Sequence, residues 1–473
     1  MQNMNLASVD LIYLDPPFNS ARDYNAIYKD ETGRPLPDQV EAFCDTWQLD
    51  EERERAIRAM PKVMLENGID NSVVQFWNLW VKALRETQPN LLAYLSYMTE
   101  RLLLMKGILK PTGSIYLHCD PTASHYIKSM MDAIFGHKNF LNEIIWHYTG
   151  GGRSKRYFSR KHDCLLWYKN GNTHTFNIDE VRVPYKETSG FAKGGITAKS
   201  GKHYKPHPDG TPVDDVWDMP IINPMAKERL GYATQKPVAL LERIIKASSN
   251  EGDVVFDPFC GCATTIEAAQ NLGRKWIGID IAIHAIKRVS QARLRDRLGL
   301  IEGQDYVIEG IPRNIEGARD LWQRDKYHFQ KWAVEQVGGF VTAKRTADGG
   351  IDGRLYFTLD DTDKDLSSMV LEVKGGKNVN VNILRDLRGV LERDSALMAG
   401  LIVLAPLGDR KMQNFKKEMA AAGDLDVNGV KYARMQILTI DDIFSGKEFA
   451  TPSRVAGQGA QSPRLPLGEG DNG

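Results

Sequence analysis

"VVFDPFCGCATTIEAAQNLGRKWIGIDI", residues 254–281, is the stretch whose reading decides the fold. An apolar strand over 253–256 stops at Asp257, a turn holds Gly261, a helix runs over 265–272, and a second strand over 276–279 ends at Asp280. A glycine-containing turn feeding a helix N-terminus is an anion site, because unpaired N–H groups and the helix dipole point there. Asp280 stands 23 residues after Asp257, where nucleotide-binding α/β folds place the acid that holds ribose hydroxyls. Gly261-Cys262-Ala263 lacks the second and third glycines of a dinucleotide-binding loop, which argues against a nicotinamide or flavin dinucleotide.

Working outward, the same rhythm continues. "TQKP" (residues 234–237) opens a helix over 237–248, with proline placed at the first turn. Residues 42–110 read as helical, most clearly 91–109, where apolar residues recur at three- and four-residue spacing. Further strands are expected at 9–14, 114–118, 143–147 and 163–168, with a helix over 124–135. Helices alternating with apolar strands predict an α/β fold, a mostly parallel sheet covered on both faces. The expected domains are 1–302, carrying an insert at 150–232, then a connector over 303–320, a second α/β domain over 321–449 and a disordered tail over 450–473.

Composition narrows the class. The chain has 473 residues and a formal net charge of zero, so attraction to nucleic acid must be sought locally. Its five cysteines are scattered, which argues against a disulfide framework, and Cys260-Gly-Cys262 has no further ligands nearby to complete a zinc set. No run of eighteen apolar residues and no signal pattern stand out, so a cytoplasmic enzyme is expected. Residues 150–210 hold 12 Lys/Arg against 5 Asp/Glu, interleaved with aromatics.

"LDPPF" (residues 14–18) ends the strand at 9–14 with Asp15, Pro16, Pro17 and Phe18. Paired prolines are an ordinary way to leave a sheet. They also leave the Asp15 carboxylate and the Pro16 carbonyl as two acceptors with no competing backbone donor, a pair suited to an exocyclic amine. Phe18 supplies a face on which the ring bearing that amine can stack. Accepting both amine hydrogens localises the nitrogen lone pair for attack, and a base inside a duplex must first be flipped out.

At this point the chain resembles the amino-methylating DNA methyltransferases, which carry Asp-Pro-Pro-Tyr/Phe at this place. Residues 257–264 resemble that family's S-adenosylmethionine motif, with Cys262 and Ala263 where Ser and Gly are usual. The resemblance implies that Asp257, Phe259 and Gly261 line the methionine moiety and Asp280 the ribose. It also implies that Thr234, Gln235, Lys236 and Pro237 flank the cofactor. The order, acid-Pro-Pro-Phe first and cofactor turn last, is that of the permuted β class, and it spans about residues 9–298. Members usually place a short strand and a Gly-Asp segment before the first strand, whereas only "MQNMNLAS" precedes Val9. Part of the cofactor site is therefore expected outside this chain. The insert would recognise the target, with Arg153, Lys155, Arg156, Arg160 and Lys161 on phosphates and Tyr157 and Phe158 stacking or entering a groove.

Near the C-terminus, "GGID" (349–352) and "LEVK" (371–374) place Asp352 before one strand, and Glu372 and Lys374 on one face of another. Two acids and a carbonyl suit Mg2+, which can activate water beside a scissile phosphate. With the helix "FQKWAVEQVGGF" (329–340), this pattern resembles Mrr-like restriction endonucleases of the Asp…Glu-x-Lys superfamily. That resemblance implies Asp352 and Glu372 as metal ligands, Lys374 beside the hydrolytic water, and Glu335 assisting.

The expected activity is transfer of a methyl group from S-adenosyl-L-methionine to adenine N6 in double-stranded DNA, fused to a Mg2+-dependent nuclease. A homodimer is compatible with this reading. Three rivals stay open: cytosine N4 as the target, a catalytically dead methyltransferase that only positions the nuclease, and an RNA or small-amine substrate.

Overall fold

Val9–Leu14 (β1) is an inner strand of the first sheet, and its second residue shows how it is held. Asp10 accepts the Lys110 ammonium at 2.7 Å and the Val254 N–H at 2.9 Å, so one carboxylate pins β1 to the strand on either side. This computed structural model describes residues 1, 4–17, 23–26, 40–44, 47–121, 123–149, 155–223, 225–230, 235–280, 286, 290–341, 351–359, 367–376, 379–393 and 396–454. The chain divides into two compact units, one drawn from Met1–Tyr24 and Phe43–Leu300, the other from Asn25–Ala42 and Ile301–Gly473.

In the first unit, β1 is joined by Leu109–Cys119 (β2), Phe140–His147 (β3), His162–Lys169 (β4), Val216–Asp218 (β5), Val254–Asp257 (β6) and Lys275–Gly278 (β7). They lie in the order β5-β3-β4-β2-β1-β6-β7. Strands β2, β1, β6 and β7 are parallel neighbours, with Ile12 beside Ile115 and Phe256. Strand β4 runs antiparallel to both β2 and β3, so the sheet is mixed. The reason is local: β3 and β4 are joined by a loop that turns straight back, and only a parallel pair requires a crossover.

The β1 side chains alternate between two cores. Ile12 and Leu14 pack with helices Glu51–Glu66 (α1), Asn71–Thr87 (α2), Pro89–Ile108 (α3) and Ser124–Met131 (α4). Leu11 and Tyr13 face Tyr116, Trp146, Trp167 and helices Val238–Ser248 (α5) and Thr264–Asn271 (α6). Both faces are covered, as the alternating pattern predicts. The stretch 150–232 is not wholly an insert, because β4 and β5 within it belong to the sheet; their apolar residues are needed to bury β2 and β3.

The second unit carries a sheet in the order Phe340–Val341 (β8), Gly353–Thr358 (β9), Ser367–Lys374 (β10), Met398–Val403 (β11) and Met435–Thr439 (β12), with Ser453–Arg454 (β13) on β9. Pairs β9–β10 are antiparallel and β10–β11–β12 parallel. Helices Ile315–Arg324 (α7), Lys326–Gln336 (α8), Asn382–Arg393 (α9) and Asp409–Ala420 (α10) complete it. Helix α7 starts within the expected connector, nucleated by the Asn314 side chain capping Gly317 N–H at 2.9 Å. Residues just past 449 are held as well, since Gln436 and Ala450 exchange two hydrogen bonds; residues from 455 lie outside the described ones. Among the described residues no helix is long and apolar enough to cross a membrane.

Candidate active site

Parallel strands β1 and β6 end side by side, so the two turns singled out in the sequence open at the same carboxyl edge. Asp15 follows β1 directly. Its Oδ2 accepts the Lys236 ammonium at 2.5 Å, while Oδ1 is buried with no hydrogen-bond partner among the described residues. Pro16 is buried beside it and Pro17 half-buried; Phe18 lies outside the described residues. Lys236 is thus on the acid that begins the Pro-Pro turn. Its neighbour Gln235 closes the preceding loop, donating to the Glu228 carbonyl at 2.6 Å and accepting from Leu230 N–H at 2.9 Å. Pro237 caps α5, and Thr234 lies outside the described residues.

On β6, Asp257 is buried and accepts Phe259 N–H at 3.0 Å and the Thr265 hydroxyl at 2.5 Å. Burial pushes its carboxyl up to about 7; those hydrogen bonds pull the other way, and Asp15 and Asp280 add to the rise. The chain then turns through left-handed backbone at Gly261 (φ 44°) and Ala263 (φ 60°) into α6. Gly261 N–H donates to Asp280 at 2.8 Å, so the acid at the end of β7 braces the turn from the side. Phe259 tilts toward Tyr97 at 6.4 Å, and the Arg101 guanidinium covers that tyrosine at 3.3 Å.

A second polar chain was not foreseen. The Tyr13 hydroxyl meets His118 Nδ1 at 2.9 Å, His118 Nε2 meets Asp163 at 3.2 Å, and the Tyr148 hydroxyl donates to Asp163 at 3.2 Å. With Asp163 ionised, Nε2 carries the proton and Nδ1 accepts from Tyr13. Burial raises the Asp163 carboxyl, but its bonds to His118, with help from Lys236 and Tyr148, more than offset this and leave it lowered. Burial, then Asp15, Asp257 and Asp163, push the Tyr13 phenol up. Tyr13 and Asp15 share one side of β1 by alternation, so this chain lies on the same side of the strand as the acid that begins the Pro-Pro turn. The one signal in the sequence was a histidine in an otherwise apolar strand.

Behind the Gly261 turn, Ser290 donates to the Gly261 carbonyl at 2.7 Å. Arg293, fully buried, pairs with Glu267 of α6 and reaches Cys262 Sγ at 3.8 Å. Arg297 also holds Glu267, at 2.7 Å, and donates to the Lys227 carbonyl at 3.1 Å. Of the basic loop, Lys155, Arg156, Arg160 and Lys161 are described and Arg153 is not.

This edge sets an orphan acceptor beside a braced left-handed turn. The sequence profile of the DNA methylase family matches residues 9–291. The chain belongs to the DNA methylase family. This methylase is 35% identical over 264 residues to the type II methyltransferase M.HpaI of Haemophilus parainfluenzae, covering 55% of this chain and 78% of that protein. It is 37% identical over 182 residues to the type II methyltransferase M1.MboII of Moraxella bovis, covering 37% of this chain and 69% of that one. With the DNA adenine methyltransferase YhdJ of Escherichia coli it shares 33% over 196 residues, 41% of this chain and 65% of the relative.

In the methylase's second unit, Asp352 Oδ2 accepts Val373 N–H at 2.7 Å, which places it against the strand carrying Glu372 and Lys374. Those two side chains pair at 2.7 Å, and burial raises the Glu372 carboxyl against the pull of Lys374. Glu335 is half-buried near the end of α8. Among the described residues no group of three or more His, Cys, Asp or Glu side chains converges as a metal cage.

Proposed function

We propose that this methylase transfers a methyl group from S-adenosyl-L-methionine to N6 of an adenine flipped out of double-stranded DNA. The observation that carries this is the buried Asp15 Oδ1, an acceptor without a partner among the described residues, at a strand tip next to the Asp257 turn. A buried carboxylate oxygen left unsatisfied is costly and calls for a donor. The exocyclic amine is such a donor, and the Pro16 carbonyl is the second acceptor. Phe18 is assigned the stacking face on its place in the motif.

The residues present fit the cofactor: Asp280 offers a carboxylate for ribose hydroxyls, and Asp257, Phe259 and the Gly261 turn offer a braced, partly apolar wall. S-adenosyl-L-methionine, when bound, supplies an electrophilic methyl on a cationic sulfonium. Asp15 and Pro16 orient the amine and draw its lone pair toward the methyl. Lys236 balances the Asp15 charge until the base arrives, and Asp15 then stands ready to hold the proton shed by the methylated nitrogen. Lys155, Arg156, Arg160 and Lys161, with Arg153, would bind phosphates. Adenine is preferred over cytosine N4 on Asp before Pro-Pro and on the likeness to an adenine methyltransferase.

Mass spectrometry of nucleosides from unmodified DNA tests this with wild type and Asp15→Ala. N6-methyladenine with wild type alone is expected; N4-methylcytosine would transfer the assignment to cytosine, and no product would overturn it.

A second activity is favoured by the Asp352, Glu372 and Lys374 arrangement: Mg2+-dependent DNA cleavage by the second unit, in a restriction-modification role. Asp352 and Glu372 would hold the ion and Lys374 and Glu335 would assist. Plasmid nicking that needs Mg2+ and disappears in Glu372→Ala is expected; cleavage unchanged by that substitution would exclude this site.

A further inference from the structure

We propose that Phe158 is the wedge that enters the base stack when the target nucleotide leaves it, an inference that rests on the methyl-transfer reading above. Phe158 is 100% exposed and its neighbour Tyr157 is 67% exposed. Lys155, Arg156, Arg160 and Lys161 surround them in sequence, and the Arg160 guanidinium lies 6.0 Å from the Tyr157 ring. An aromatic side chain held wholly in water forgoes about 2 kcal/mol of burial. Flanked in sequence by cations, it is poorly suited to an apolar protein partner and well suited to a polyanion with stacked flat rings.

The loop's origin gives the aim. It leaves the sheet between β3 and β4, where His147 pairs with His162, and Tyr148 N–H donates to the Lys161 carbonyl at 3.0 Å. Tyr148 also bonds Asp163, which bonds His118, which bonds Tyr13, two residues before Asp15. A continuous chain of hydrogen bonds therefore fixes the base of this loop to the strand bearing the reacting acid. Phe158 stands five positions before Asp163, and five residues reach at most roughly 18 Å. A major groove is about 8.5 Å deep, so the ring can meet the stack while Asp15 receives the extruded base. Phenylalanine has no donor or acceptor with which to read a base edge. What it can do is fill the gap and offset the lost stacking.

The test uses the full chain and unmethylated plasmid, first to map the modified position and then to build duplexes with 2-aminopurine there for fluorescence and with adenine there for transfer. Wild type should raise the fluorescence. Phe158→Ala should lose most of that rise and slow single-turnover transfer by about tenfold or more, since unstacking costs a few kcal/mol. Its salt dependence should stay that of wild type, since a neutral ring contacts no phosphate. A mismatch opposite the target, which removes much of the extrusion cost, should restore the rate, as should Phe158→Trp on the matched duplex. Transfer by Phe158→Ala at the wild-type rate on matched DNA would overturn the wedge, as would a deficit that the mismatch leaves untouched. Absence of any modification by wild type would instead overturn the transfer reading, and the wedge with it.

Discussion

Lys236 and Asp15, 221 positions apart in the chain, meet at 2.5 Å with side chains only 9% and 16% exposed. The pair joins two distant stretches of the first unit's sequence at one point of the sheet edge. Removing one partner of a buried pair leaves an uncompensated charge, which costs about 3–5 kcal/mol. Lys236→Met should therefore destabilise the unit by that order, and Lys236→Met with Asp15→Asn by clearly less than the sum of the two single changes. Denaturant unfolding of the four proteins measures the coupling; additive effects would mean the ion pair carries no weight.

Asp257 makes stability depend on pH. Its carboxyl is raised to about 7 in the folded protein, against about 3.9 in an unfolded chain. The folded state therefore favours the protonated form, and its stabilising effect is complete below about pH 4 and lost as pH rises through about 7. Asp257→Asn, which stays neutral, should remove this component, so that the difference in melting temperature between variant and wild type grows from pH 4 to pH 7 in the variant's favour. A constant difference would show that folding does not raise the Asp257 carboxyl.

Ala263 takes φ 60° and ψ 32° immediately before α6. Left-handed backbone costs an L-residue roughly 1–2 kcal/mol, and glycine avoids that cost. Relief of strain and loss of one buried methyl nearly cancel, so Ala263→Gly should shift stability by no more than about 1 kcal/mol. Ala263→Val, with a branched side chain in the same backbone, should cost more than about 2 kcal/mol. Equal losses for the two would place the strain elsewhere.

Glu267 is held between Arg293 and Arg297, and Arg293 also reaches Cys262 in the Gly261 turn. Glu267→Gln leaves a fully buried guanidinium without its counter-charge and should cost about 3–5 kcal/mol. Because Arg297 also holds the Lys227 carbonyl, the loop before Gln235 and Lys236 should loosen with it. Arg297→Lys, which keeps the charge but not the fork, should raise the KM for S-adenosyl-L-methionine more than it lowers kcat. Unfolding curves and steady-state kinetics check the two halves, and an unchanged KM would sever the link to the cofactor turn.

Much of the first unit was legible because its signals are local. The strand, turn and helix around Asp257 announce themselves by an apolar run, a glycine and a change of period within one short stretch, and the strand ending at Asp15 by an apolar run before two prolines. The antiparallel course of β4 was less legible. Its apolar residues say that it is buried but not which way it runs, since burial on both faces looks the same in either direction. In the second unit Asp352, Glu372 and Lys374 were found from adjacent strands, and the hydrogen bond from Val373 to Asp352 depends on their register.

The amino-acid sequence by itself determined the α/β class, the order of the two turns and the kinds of side chain at each, because backbone propensity and hydrophobic period act over a few residues. Tertiary structure alone decided that Lys236 stands on Asp15, that His118 joins Tyr13 to Asp163 and that Arg293 backs Cys262. Each is a meeting of polar groups far apart in the chain. Which of them meet is settled only when the sheet closes and every buried donor and acceptor must find its partner from what folding has brought within reach.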